Sequence, residues 1–207
     1  MKKESECMKI KEILKYGIEE LKQDEDKILK AKLLLAFLLD VPKEYLNIHM
    51  EEEINSLIEI KYKENLDKLK KGVPLQYIIN KQEFMGITFY VDERVLIPQP
   101  DTEILVEEVL KKISEKAKKN ETIEILDLCT GSGAIGISIS IYFPNSLVTI
   151  SDISEDALEV AKLNVEKQKC KNIKIVKSDF FDGINGKFDI IVSNPPYIKT
   201  EIIRYIK

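Results

Sequence analysis

Apolar residues in the first third of the chain recur at intervals of three and four, which places them on one face of an α-helix. The pattern predicts a helix over residues 8–21, a second ending at Leu39, and a longer one running from the acidic residues 51–53 to Gly72. Residues 1–72 are therefore predicted to form a small all-helical domain.

Residues 73–100 are richer in aromatic and β-branched side chains, which favour strands. Two short strands are predicted over residues 84–91 and 94–97, with Asp92-Glu93 as the turn between them. This segment is therefore predicted to be a β-hairpin linker.

Strand and helix patterns alternate through the rest of the chain. The predicted strands are 123–128, 147–150, 173–176 and 188–192, and the predicted helices are 103–118, 134–142 and 155–168. Near-continuous apolar strands separated by helices are typical of a parallel sheet covered on both faces. Residues 101–207 are therefore predicted to form an α/β domain with a Rossmann-like sheet.

Composition narrows the class of protein. With 44% hydrophobic and 33% charged residues, the chain is not of the disordered type. Its longest apolar run, Leu33 to Leu39, is far shorter than the roughly 20 residues that span a bilayer, so we expect no membrane association. Cys7, Cys129 and Cys170 are scattered and form no Cys-x-x-Cys motif, which predicts no metal site, no disulfide and a cytoplasmic location.

The distribution of charge argues against nucleic-acid binding. The formal net charge is −4, and only Arg94 and Arg204 among the 32 basic residues are arginine. No stretch forms the basic stripe that a protein gripping DNA phosphates normally shows. We therefore expect no direct contact with nucleic acid.

A glycine-rich segment joins one predicted strand to the next helix. Gly131, Gly133 and Gly136 allow the backbone to approach a ligand, and the helix N-terminus offers free N–H groups to an anionic group. Asp152 ends the following strand, where its carboxylate can accept both ribose hydroxyls of a nucleoside cofactor. The glycine spacing also matches the dinucleotide fingerprint, so an NAD-dependent oxidoreductase is an alternative at this point.

The motif Asn194-Pro195-Pro196-Tyr197 follows an apolar strand at its carboxyl end, where open α/β sheets bind ligands. The nitrogen of an amide or arylamine is a poor nucleophile because its lone pair is delocalised. The Asn194 side-chain oxygen and the Pro195 carbonyl can accept its two N–H groups and aim the lone pair at an electrophilic methyl group. Tyr197 can stack on the planar group. The motif therefore predicts amino-group methylation, with Asn194, Pro195 and Tyr197 as catalytic residues.

These motifs resemble those of the HemK/PrmC protein-glutamine methyltransferases, which use S-adenosylmethionine to methylate the Gly-Gly-Gln loop of peptide-chain release factors. The resemblance covers nearly the whole chain and includes residues 74–77, 83–86 and the segment 96–103, Leu-Ile-Pro-Gln-Pro-Asp-Thr-Glu. It implies methyl transfer to the side-chain amide nitrogen of the glutamine, with release factors as partners. The helical domain would help to dock the release factor.

The resemblance also implies two groups of site residues. The cofactor group would consist of Cys129, Thr130, Gly131, Ser132 and Gly133 around the methionine part, Asp152 on the ribose, and Asp179 and Phe180 at the adenine. The substrate group would consist of Asn194, Pro195, Pro196 and Tyr197, with Asn194 also near the cofactor.

Three features depart from the family pattern. Gln99 stands where the family usually has arginine, and Cys129 stands where the family more often has glycine. Cysteine would be tolerated at this position if its φ were negative. The chain also ends soon after Tyr197, whereas the resembled fold continues through further strands. We therefore expect a methyltransferase domain truncated after its fourth strand, with a sheet edge open to self-association. An adenine-amino methyltransferase of nucleic acid and an inactive cofactor-binding fragment remain as alternatives.

Overall fold

The computed structural model describes residues 8–116 and 122–196. The chain divides into two compact units, Met1–Ile79 and Asn80–Lys207. Each unit has a hydrophobic core of its own. No helix within the described ranges is long and apolar enough to cross a membrane.

The described part of the first unit is helical. Its helices are α1 (Ile10–Glu20), α2 (Lys27–Leu39), α3 (Tyr45–Ile48), α4 (Ser56–Lys70) and α5 (Leu75–Ile79). Tyr62 is fully buried at the centre of the core, and its hydroxyl donates to the Ala31 carbonyl at 3.2 Å. A Cβ at Gly17 would lie 2.1 Å from that hydroxyl, so the absence of a side chain at Gly17 lets α1 pack against the ring.

The helical character predicted for this region is confirmed, but one helix begins later than expected. Helix α4 starts at Ser56, where the Asn55 side chain caps it by accepting the Leu57 N–H at 2.7 Å. The acidic residues 51–53 lie before the helix, and Glu53 forms an isolated antiparallel bridge with Lys9. A local cap and a distant backbone pairing therefore override the preference of acidic residues for a first turn.

The second unit opens with a hairpin of β1 (Gln82–Phe84) and β2 (Ile87–Phe89), which pair antiparallel. A turn does follow Asp92, where the Val95 N–H donates to the Asp92 carbonyl at 3.1 Å, but the predicted strand 94–97 is wrong, so this turn joins no pair of strands. The hairpin turn lies within the predicted strand 84–91, at Met85 and Gly86, whose φ values of 52° and 67° are both positive, as a two-residue I′ turn requires.

A left-handed methionine is explained by its tertiary contacts. The Met85 N–H donates to Glu103 Oε1 at 2.7 Å, and the Tyr142 hydroxyl donates to the Met85 carbonyl at 2.6 Å. Both partners are remote in sequence, so a local sequence pattern does not predict a left-handed methionine at this turn.

The rest of the second unit is a parallel sheet with helices, which confirms the predicted α/β class. In chain order its elements are a 3₁₀ turn (Pro100–Thr102), α6 (Glu103–Lys116), β3 (Ile123–Leu128), α7 (Ala134–Tyr142), β4 (Ser146–Asp152), α8 (Glu155–Gln168), β5 (Ile173–Lys177) and β6 (Ile190–Ser193). The strand order is β5-β4-β3-β6, and every pairing is parallel. The chain moves outward from β3 through β4 to β5 and then returns to the other side of β3, so the carboxyl ends of β3 and β6 flank a topological switch point.

Candidate active site

The switch point brings two of the sequence motifs together. Leu128, the last residue of β3, pairs with Ser193, the last residue of β6, and the Ser193 hydroxyl donates to the Leu128 carbonyl at 2.8 Å. The glycine loop, defined here as residues 129–133, follows β3, and Asn194 follows β6. Both motifs therefore start from the same edge of the sheet.

Three residues of the glycine loop are left-handed. The φ values are 57° for Cys129, 54° for Gly131 and 82° for Gly133. The negative φ at which cysteine could replace glycine without strain is therefore not what the structure shows, because Cys129 leaves β3 in the left-handed conformation. A Cβ at Gly131 would meet nothing within 4 Å, whereas one at Gly133 would meet Ile137 at 2.8 Å. Gly131 thus leaves its backbone open to a ligand, and Gly133 permits close packing of the following helix.

Asp152 is fixed at the end of β4 by backbone donors. The Gly131 N–H donates to its Oδ2 at 2.9 Å, and the Ser154 N–H donates to its Oδ1 at 3.0 Å. Each carboxylate oxygen has a second lone pair, so each can accept a further hydrogen bond. A carboxylate held in this way suits a ligand that presents two adjacent hydroxyl groups.

The end of β5 joins the same edge through Ser178. Its N–H donates to the Asp152 carbonyl at 3.0 Å, and its hydroxyl lies 2.7 Å from the carbonyl oxygens of both Phe180 and Asp182. This turn holds Phe180 at a φ of 48° with its side chain 58% exposed. Asp179 beside it is also exposed. An aromatic face is thus presented to solvent next to the Asp152 strand.

Asn194 engages a residue from the segment before α6. Its Nδ2 donates to Thr102 Oγ1 at 3.2 Å, which leaves Oδ1 directed away from Thr102 as the acceptor for another donor. Pro195 and Pro196 are exposed, and Tyr197 lies outside the described residues.

A cleft runs along this edge between the glycine loop and residues 96–102. Of the predicted site residues, those that line it are Cys129, Thr130, Gly131, Ser132 and Asn194. The lining that sequence reasoning did not assign to the site includes Phe84, Leu96, Pro98, Gln99, Thr102, Ala134 and Ile135. The resemblance of residues 96–103 to the HemK/PrmC family was the sequence signal for the wall of the cleft formed by residues 96–102.

Two family models match the chain. The Methyltransferase small domain matches residues 100–205, and the PrmC N-terminal domain matches residues 12–79. The release factor glutamine methyltransferase of Borreliella burgdorferi is 38% identical over 195 residues, covering 94% of this chain and 65% of that protein. Those of Clostridium acetobutylicum and Leptospira interrogans are each 40% identical, covering 95% and 90% of this chain and 70% and 66% of the relatives.

The chain belongs to the release factor glutamine methyltransferase family. The resemblance found in the sequence is confirmed, and the oxidoreductase alternative is set aside. The chain spans about two thirds of the length of the relatives it matches.

Asp127 is a buried acid of this methyltransferase fold that sequence reasoning did not assign to the site. Its Oδ2 accepts the Thr130 hydroxyl at 2.6 Å and the Gly136 N–H at 3.0 Å, and its Oδ1 has no partner among the described residues. Complete burial raises the pKa of Asp127 to about 7, against the opposing effect of the two hydrogen bonds. An acidic residue in an apolar strand directly before the glycine loop was the signal.

Two further side chains set the electrostatics of the cleft. Burial raises the pKa of the Cys129 thiol, and the nearby Asp152 acts in the same direction, so the thiol stays neutral at neutral pH. Gln99 donates from Nε2 to the Ile97 carbonyl at 2.9 Å and contributes a neutral amide to the cleft.

Proposed function

We propose that this chain transfers a methyl group from S-adenosylmethionine to the side-chain amide nitrogen of the Gly-Gly-Gln glutamine of peptide-chain release factors. The observation that carries the proposal is the placement of Asn194 in the same cleft as the glycine loop, with its amide nitrogen engaged by Thr102. The names of the relatives in three bacteria support the choice of substrate.

The residues at the sheet edge fit the cofactor. The two oxygens of Asp152, already oriented by Gly131 and Ser154, would accept the ribose hydroxyls. The open backbone at Gly131 would admit the methionine part beside the glycine loop, and Asp179 and Phe180 would contact the adenine. When bound, S-adenosylmethionine supplies a methyl group made electrophilic by the sulfonium charge.

Asn194 and Pro195 would hold the glutamine amide. The Asn194 Oδ1 and the Pro195 carbonyl would accept its two N–H groups, which fixes the plane of the amide and favours a pyramidal nitrogen. Orientation replaces a general base at this stage, because the nitrogen becomes acidic and releases its proton only after it has been methylated. Pro196 and Tyr197 complete the proposed substrate group.

The proposed roles of the domains use the residue ranges predicted from the sequence. We assign docking of the release factor to residues 1–72, a linker to residues 73–100 and catalysis to residues 101–207. The match of residues 12–79 to the PrmC N-terminal domain supports a separate N-terminal domain. A cytoplasmic location is supported by the free thiols of Cys129 and Cys170.

A methyl-transfer assay tests the function. Purified 207-residue chain receives S-adenosylmethionine labelled in the methyl group, together with release factor, release factor lacking the Gly-Gly-Gln glutamine, DNA or RNA. Label is expected on the intact release factor alone. Label on nucleic acid would overturn the substrate assignment. Cofactor binding without transfer to any substrate would favour the inactive fragment.

A further inference from the structure

Asn164 lies in the middle of α8 and is fully buried although its side chain is polar. Its Oδ1 accepts the Tyr90 N–H at 2.7 Å, and its Nδ2 donates to the Tyr90 carbonyl at 3.0 Å. The side-chain amide thus pairs with the Tyr90 backbone as a neighbouring strand would. The same Nδ2 donates its second hydrogen to the Ser132 carbonyl at 2.9 Å.

These three bonds use both donors of the amide and one of its acceptor sites. Among uncharged side chains only asparagine and glutamine have two donors and an acceptor on one planar group, and asparagine is the shorter of the two. Loss of the amide would leave three backbone groups of Tyr90 and Ser132 without this partner in a buried environment, which is costly.

Helix α8 contacts the chain segment after β1 at three points. Gln168 donates to the Thr88 carbonyl at 2.8 Å, Asn164 pairs with Tyr90, and Glu159 forms an ion pair with Arg94 at 2.9 Å. Among these three side chains, Asn164 is the one with a described hydrogen bond to the glycine loop. Gln168 therefore provides a matched control on the same helix, one turn away.

The two elements that Asn164 joins lead to the two walls of the cleft. Ser132 belongs to the glycine loop, and Tyr90 begins the segment that continues to Leu96, Pro98 and Gln99. We infer that Asn164 is a positioning residue that fixes the glycine loop relative to residues 90–99 and so sets the geometry of the cofactor cleft. This inference rests on the proposed function, because it takes the cleft to be the S-adenosylmethionine site.

The test compares Asn164→Ala with Gln168→Ala in the whole chain. In Asn164→Ala the dissociation constant for S-adenosylmethionine is expected to rise about tenfold or more, and amide hydrogen exchange in residues 130–136 is expected to accelerate. Gln168→Ala is expected to change the dissociation constant less than about twofold and to leave loop exchange as in the wild type. A purely structural residue would lower the melting temperature without changing either readout in the folded protein.

Asn164→Asp provides a second variant of nearly the same shape. The ionised carboxylate keeps the acceptor for the Tyr90 N–H but has no donor, whereas the protonated form regains one donor. The affinity deficit of this variant, measured against the wild type at each pH, is therefore expected to shrink as the pH falls. A deficit that does not change with pH would contradict the role of the Asn164 donors.

The remaining outcomes separate the two proposals. Hydrogen exchange needs no cofactor, so unchanged loop exchange in folded Asn164→Ala overturns this inference while the proposed function stands. A wild-type chain that does not bind S-adenosylmethionine overturns the proposed function and, with it, the assignment of the cleft. If neither variant folds, Asn164 is a folding residue and the positioning role is overturned.

Discussion

At the scale of single residues, the site is organised by backbone groups as much as by side chains. Asp152 is oriented by the Gly131 and Ser154 N–H groups, and Thr102 orients the Asn194 amide. Asp127 holds the glycine loop through Thr130 and the start of α7 through Gly136. These three side chains are thus positioned by protein groups, which is the condition for electrostatic preorganisation.

Replacement of Asp152 by alanine is expected to weaken S-adenosylmethionine binding by at least roughly tenfold, because charge-assisted hydrogen bonds to two hydroxyls contribute about 1.5–3 kcal/mol each. Calorimetric titration measures the change. Asp156→Ala, which removes an exposed acid from the first turn of α8, is the matched control. Equal affinity in wild type and Asp152→Ala would mean that Asp152 does not anchor the ribose.

Asn194→Ala is expected to lower the turnover number by about 100- to 1000-fold and to change cofactor affinity much less, since loss of a preorganised polar partner acts on the transition state. Single-turnover rates with release factor, paired with cofactor titrations, separate the two effects. Asn185→Ala, in an exposed loop, should be unchanged in both. Normal turnover in Asn194→Ala would refute the amide-positioning mechanism.

Cys129→Gly is expected to stabilise the fold by about 1 kcal/mol. A side chain at a φ of 57° carries a steric cost, which glycine removes, although glycine also raises the entropy of the unfolded chain. Cys129→Ala retains the Cβ and should show no such gain. Urea unfolding of both variants gives the comparison, and equal stabilities would show that the Cys129 backbone is unstrained.

At the scale of elements, the β1–β2 hairpin depends on contacts with helices α6 and α7. Its turn residue Met85 has no intrinsic preference for the left-handed region, and Glu103 and Tyr142 hold the peptide on both sides. Such a turn is supported by the fold around it, unlike an Asn-Gly turn, which is favoured locally.

Glu103→Ala is therefore expected to destabilise the second unit by about 1.5–3 kcal/mol, the range for a hydrogen bond to a charged group. Glu107→Ala removes an exposed glutamate one turn further along α6 and should change stability by less than about 0.5 kcal/mol. Chemical denaturation measures both. If the hairpin forms without help from Glu103, the two variants will have the same free energy of unfolding, which would contradict this prediction.

At the scale of the whole molecule, β6 is the outermost strand on its side of the sheet among the described residues. Among the described strands β6 pairs with β3 alone, and Ile191 is 52% exposed. An apolar parallel strand with an unpaired edge is a template for association with another chain. We therefore propose that the 207-residue polypeptide self-associates through this edge.

Light scattering is expected to show that the average mass of the wild type rises with protein concentration. The average mass of Ile191→Lys is expected to be closer to that of the monomer at the same concentrations. Leu147→Lys places the same charge at a position 45% exposed on β4, which is already paired on both sides, and should not reduce the association. A wild-type chain that remains monomeric at every concentration would rule out edge pairing.

The sequence alone determined the elements whose signals are local. Helices α7 and α8 and strand β3 begin and end at the residues predicted from the apolar pattern. The reason is that the spacing of apolar residues within a buried strand or an amphipathic helix is set by the geometry of that element alone. The glycine loop, Asp152 and the motif at Asn194 were also visible, since each follows a strand whose carboxyl end meets the others at one edge.

The tertiary structure decided what depends on residues far apart in the chain. The turn at Met85 and the wall of the cleft at Leu96 to Thr102 depend on contacts with residues that are far away in the sequence. Asn164 shows the reason most clearly. In the sequence it is one polar residue in a helix, and only packing brings the backbones of Tyr90 and Ser132 within reach of its amide.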